Sequence, residues 1–193
     1  KRQPQTTLQI RYRGPVGINQ DEMAARMILG QMLNQRMSKM RTKLGSTYGA
    51  YAGIGISNGP RAYQLGGSFD TLRVGESLAA MRKEVNDLRQ GMGFNADFAE
   101  ARRTLLKKYL AESVTTGALA SKLGNVVRFK VGLDYSDKLV KAIATATPAQ
   151  VKIVMAKDLQ PANEVIGIFG DKETITKAFA DAGIESPKII EPE

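Results

Sequence analysis

No cysteine and no histidine occur in the 193 residues. The first absence excludes disulfides, thiolate zinc sites and cysteine nucleophiles, yet leaves the compartment open, since cytosolic and periplasmic proteins alike can lack cysteine. The second removes the commonest general base and the nitrogen ligand of most zinc sites, so a zinc centre here would need carboxylates alone, a poor match to the metal. A Ser/His/Asp triad is impossible. Long apolar runs are also missing: stretches such as Val165-Ile166-Gly167-Ile168-Phe169 fall far short of the roughly 20 residues that span a bilayer, so no membrane span is expected. The chain opens Lys1-Arg2-Gln3-Pro4, with neither an initiator methionine nor the apolar core of a secretory signal, and reads as a processed piece.

What is present fits a globular domain. Hydrophobic residues make up 42% and charged residues 24%, a balance that argues against disorder. The formal net charge of +9, from 28 Lys plus Arg against 19 Asp plus Glu, favours anionic partners or surfaces. The charges are nevertheless spread as mixed pairs, such as Arg82-Lys83-Glu84 and Glu100 with Arg102-Arg103. Solvated helix faces explain that pattern. A basic nucleic-acid-binding domain is a further reading, but no RNA-recognition or helix-turn-helix signature accompanies the charge, and no nucleic-acid partner is expected.

Residues 6 to 12 alternate in the period-two pattern of a half-buried strand, closed by Gly14-Pro15. Asn19 and Glu22 have capping-box spacing, and Met23, Met27, Ile28, Met32, Leu33, Met37, Met40 and Leu44 then recur at helical intervals as one core-facing stripe. Gly45 marks the helix end. Tyr48 to Ile56 is β-prone with interleaved glycines, read as bulges more readily than as close backbone approaches, and Asn58-Gly59-Pro60 turns it into a second strand from Tyr63 to Phe69. Val74, Leu78, Met81, Val85 and Leu88 make a one-sided helix ending at Gly91. Further helices are expected with Phe98, Leu105, Leu106, Tyr109 and Leu110 buried, then through Leu119, Leu123, Val126, Val127 and Phe129, then after an Asp134 cap. Thr147-Pro148-Ala149-Gln150 is the best-marked helix start, Glu164 to Phe169 reads as a buried strand, and Lys172 to Ala180 as a last helix. The order predicts an α+β fold, a two-layer sandwich of a mainly antiparallel sheet packed against several helices, as one domain over 1–185 with a tail at 186–193.

Phosphate loops, dinucleotide fingerprints and nucleophile elbows are all absent. Asp97 and Glu100 fall beside arginines and read as salt-bridged surface. The remaining candidates are Arg41 and Tyr48, seven positions apart across the helix-to-strand junction. Arg41 offers a permanently charged planar fork, and Tyr48 a phenolic proton, so together they can hold a peptide carbonyl or the oxyanion that forms from it. The alternative is structural: Arg41 paired with a nearby acid and Tyr48 packed at the strand start.

At Arg41-Thr42-Lys43-Leu44-Gly45-Ser46-Thr47-Tyr48 the chain resembles the C-terminal, non-zinc half-domain of the pitrilysin and insulinase family of zinc metallopeptidases, the inverzincins, which include mitochondrial-processing-peptidase-like proteins. The order of the Gly/Tyr hairpin, the helix pair at 73 to 131, the Thr147 start and the Val165-to-Asp171 strand extends the resemblance over nearly the whole chain. It implies one half of a clamshell whose other half carries the inverted His-x-x-Glu-His motif, absent here. By that resemblance no cofactor belongs to this chain and zinc sits in a homologous N-terminal domain or subunit. Arg41 and Tyr48 then serve peptide or unfolded-protein hydrolysis in trans, and this chain alone is inactive. A bacterial periplasm or cell envelope, or an organelle, fits the family. A non-catalytic scaffold subunit of the same family is the alternative.

Overall fold

A computed structural model describes residues 5–14, 20–45, 47–55, 62–112 and 115–185. Strand β1 (Gln5–Arg13) alternates as the sequence predicts, with Leu8, Ile10 and Tyr12 turned inward. It lies in a four-stranded sheet of order β2-β3-β1-β4, formed with β2 (Thr47–Ile54), β3 (Ala62–Asp70) and β4 (Glu164–Phe169). Every pairing is antiparallel. Helices cover one face. Helix α1 (Gln20–Ser38) packs over β2 and β3, and Ile28, Leu29, Met32 and Leu33 meet Tyr63, Leu65 and Phe69 in one continuous core. The α+β architecture is therefore as expected.

Six further helices complete the layer: α3 (Val74–Arg89), α4 (Phe94–Glu112), α5 (Thr116–Phe129), α6 (Tyr135–Thr145), α7 (Pro148–Asp158) and α8 (Lys172–Asp181). The Thr147 capping box forms in full. Its hydroxyl accepts from the Gln150 amide, and the Gln150 side chain accepts from the Thr147 amide at 2.8 Å. No single helix among the described residues is long and apolar enough to cross a bilayer. The α6–α7 pair reaches that composition only jointly, across a 104° bend, and both helices bury residues against α1.

Several expectations need correction. The stripe ending at Leu44 is divided between α1 and a short helix α2 (Met40–Leu44), because the Lys39 amide bonds the Arg36 carbonyl three residues back instead of four. The stripe itself still packs: Met23, Met32, Met37 and Met40 are buried. Strand β4 is a half-exposed edge and not a buried strand, since among the described residues only β1 flanks it and no helix covers the side bearing Val165 and Phe169. Leu110, Leu119, Leu123 and Val127 are exposed, because α4 runs past the core at its end and α5 lies outside it. Asp134 occupies an N-cap position, but its carboxylate engages Lys138 at 2.7 Å instead of the helix amides. The Asn19 cap and the Asn58-Gly59-Pro60 turn lie outside the described residues, as does the tail from 186.

Close backbone approach, the less favoured reading of the β2 glycines, occurs instead on the partner strand β3. A Cβ on Gly67 would sit 2.4 Å from the Gly49 carbonyl oxygen, and one on Gly66 would sit 2.5 Å from that of Leu8. A bulge is present in β2, confined to its start: the register shifts between Thr47 and Gly49.

Two arginines of α1 are buried and paired across the helix layer. Arg26 donates from Nε to Asp158 of α7 and from Nη1 to Glu22, each at 2.7 Å. Tyr63 adds a hydrogen bond to the same Asp158 oxygen at 3.3 Å. Arg36 donates to Asp97 of α4 at 2.7 Å and to the backbone carbonyls of Glu84 and Met92. Asp97 is thus a buried structural partner rather than surface decoration, which the local run of arginines had obscured.

Burial, then the neighbouring Asp158 charge, pushes the Tyr63 hydroxyl well above the ordinary tyrosine range, and burial with the Glu164 hydrogen bond does the same to Tyr12. The fold therefore favours the neutral phenols. Their contribution is complete below about pH 10, where an unfolded tyrosine keeps its proton, and is lost as pH rises beyond it. Urea unfolding of Tyr63→Phe should show a loss of about 1 kcal/mol near neutrality, from the missing hydrogen bond, and a shallower alkaline decline than the parent. Parallel alkaline curves would contradict the assignment.

Candidate functional site

The junction that carries both predicted residues begins with the end of α2. Gly45 adopts the left-handed conformation, φ 62°, and its amide closes the helix onto the Arg41 carbonyl at 3.1 Å. Glycine reaches that conformation without a Cβ penalty, so the helix stops here and the chain turns into β2. Arg41 is exposed on this last turn. Among the described residues no acid pairs with its guanidinium and no hydrogen bond occupies it. The structural alternative for Arg41, an ion pair with a neighbouring acid, is therefore not what the described residues form.

Tyr48 is the residue the bulge inserts. The register runs from Thr47 opposite Phe69 directly to Gly49 opposite Ser68, leaving Tyr48 without a partner on β3. Bulges re-aim the side chain they insert and are over-represented beside active sites. The Tyr48 side chain itself lies outside the described atoms. What the fold brings together is the pair of backbone positions, one on each limb of a single capped turn.

Three contacts from distant sequence clamp that turn. Lys43 is held by Glu84 of α3, whose other carboxylate oxygen faces Arg36 at 3.5 Å. Arg73 donates from Nη1 to the Leu44 carbonyl at 2.9 Å. Thr47 donates its hydroxyl to the Ser68 carbonyl at 2.7 Å and accepts from the Gly49 amide at 3.0 Å, which fixes the bulge. On the outer edge of β2, the Ala52 amide donates to the Asn34 side chain of α1 at 2.9 Å. No local pattern marks Glu84, Arg73 or Asn34 as partners of this turn, because each meets it across 18 to 41 residues of chain.

Zinc does not fit this chain. Histidine and cysteine are absent throughout, and among the described residues no group of three or more acidic side chains is placed to hold a metal ion. What the described residues of the junction present is one exposed guanidinium, that of Arg41, a group that can donate to an oxygen acceptor.

The family profile of the peptidase M16 inactive domain matches residues 1–105. The chain belongs to the peptidase M16 inactive-domain family. Solved structures share its fold. A peptidase M16 inactive domain from Pseudomonas fluorescens superimposes with a TM-score of 0.75 at 22% identity, covering 87% of this chain and 41% of that one. The inactive peptidase domain from Bordetella parapertussis gives 0.74 at 11% identity, covering 88% and 95% respectively. The periplasmic protease PqqL from Escherichia coli gives 0.71 at 12% identity, covering 89% and 20%. The chain therefore spans about two fifths of the first of these, nearly all of the second and one fifth of the third. No similar sequence was found among curated proteins.

Glu84→Ala should loosen the clamp without unfolding this M16 domain, because Arg36 keeps Asp97. Hydrogen exchange of the Gly45 amide should accelerate by about tenfold, the equivalent of roughly 1.4 kcal/mol of local opening. An unchanged rate would show that Glu84 does not hold the turn.

Proposed function

We propose that this chain is the substrate-binding and structural half of a zinc-dependent metalloendopeptidase. In this reading Arg41 and Tyr48 donate hydrogen bonds to a substrate carbonyl, or to the oxyanion that replaces it during hydrolysis. The metal is held by a homologous domain or subunit, and the two halves enclose a peptide or an unfolded protein segment. The observation that carries the reading is the Arg41 guanidinium, exposed and without a partner among the described residues, on a turn held in place by Glu84, Arg73 and Thr47. An arginine kept unpaired on a rigid support is arranged to meet an acceptor from outside the chain.

The chemistry assigned to these residues is confined to binding and charge stabilisation. The Arg41 fork aligns a planar acceptor, and a donor at the bulge adds a second, uncharged hydrogen bond. Donors that reach the oxyanion more strongly than the ground-state carbonyl lower the barrier and leave substrate affinity less affected. Similarity to a periplasmic protease and to other bacterial M16 domains supports a bacterial envelope location.

In the complete, two-half enzyme, Arg41→Ala and Tyr48→Phe should each reduce peptide turnover by about 10²-fold, the usual effect of deleting one oxyanion donor. Steady-state kinetics should place the loss mainly in kcat. Turnover equal to the parent in both variants would remove the proposed roles and favour a scaffold function.

A further inference from the structure

Away from the junction, a cleft of about 530 Å³ opens between α4, α5 and α6. Its volume falls in the range of small-molecule sites, about 300–1,000 Å³. The floor is apolar, made by Met27 of α1, Ile54 at the end of β2, Val126 of α5 and Leu139 of α6. Tyr109 lines one wall, its hydroxyl resting on the Met27 sulfur at 3.6 Å.

Among the described residues of the lining the charged side chains are both lysines, Lys108 on α4 and Lys122 on α5, with the Asn125 amide one helical step from Lys122. Lys122 reaches only Asp137, at 3.7 Å, and that carboxylate side chain is 84% exposed. An ion pair so long and so exposed contributes little and yields readily to a competing anion. Ammonium groups present point charges suited to a compact monoanion, and the floor beneath accommodates a hydrocarbon tail.

We propose that this cleft binds a carboxylate bearing an apolar tail, the size of a peptide C-terminus ending in one large hydrophobic residue. The head would lie between Lys122 and Asn125, with the tail on Met27, Ile54, Val126 and Leu139. A free C-terminal peptide carboxylate and a medium-chain fatty acid share this chemistry. The described lining does not include Arg41, so the site stands apart from the hydrolytic role proposed for that residue.

Calorimetric titration of the 193-residue chain with N-acetyl-leucyl-phenylalanine, its C-terminal amide and octanoate tests the site. The free acid should bind at least about tenfold more tightly than the amide, a difference of roughly 1.4 kcal/mol. Lys122→Met should weaken the acid by about fivefold, and Ala118→Phe, which fills the cleft from α5, should abolish binding while the thermal midpoint holds. Octanoate binding as tightly as the peptide acid supports the same site with a fatty acid as its source. Equal binding of acid and amide, binding that survives Ala118→Phe, or no binding by either carboxylate overturns the proposal.

Discussion

Helix α1 is tied near each end by a buried arginine, and those two ties set α7, α4 and α3 against it. Arg26 locks it to Asp158 of α7, and Arg36 locks it to Asp97 of α4 and to the α3 backbone at Glu84. Buried ion pairs often do no better for stability than apolar residues of the same volume, whereas removing one partner costs about 3–5 kcal/mol. What they supply is alignment. An apolar stripe of methionines and leucines slides and repacks at low cost, whereas a guanidinium with fixed carboxylate and carbonyl acceptors tolerates one placement of the helix.

That placement propagates to the proposed site. Helix α1 runs through Lys39 into α2, so the direction of α1 sets where Arg41 emerges. Glu84 serves both ends of this path, facing Arg36 within the helix layer and Lys43 on the turn. On the strand side, Gly66 and Gly67 let β1 and β2 close tightly on β3, and the Thr47 hydroxyl pins the bulge at Tyr48. An exposed donor is useful only where its support is rigid, and here the support is built from contacts on four separate elements.

Features encoded within a few residues were legible in the sequence. Thr147, Pro148 and Gln150 specify a helix start by satisfying their own backbone amides, and Gly45 ends α2 through its own left-handed geometry. The inward alternation of β1 and the methionine stripe were equally plain. Periodicity, however, reports that a face is apolar and not what covers it. Val165 and Phe169 on β4, and Leu119, Leu123 and Val127 on α5, carry core-like residues yet are exposed. Long-range polar partners were also hidden. Asp97 stands among arginines of its own helix and pairs with Arg36, 61 residues away, while Asp158 meets Arg26 across 132. At the candidate site, Arg41 and Tyr48 could be named from the junction, but Glu84, Arg73 and Asn34 leave no local signal.

The proposed division of labour gives substrate to this chain and the metal to another half. The direct measurement is hydrolysis of a fluorogenic peptide by the purified chain, by the zinc-bearing half prepared separately, and by the two mixed. Activity confined to the mixture, and removed from it by a zinc chelator, is the predicted result. Cleavage by this chain alone, or full activity of the zinc-bearing half without it, would contradict the claim.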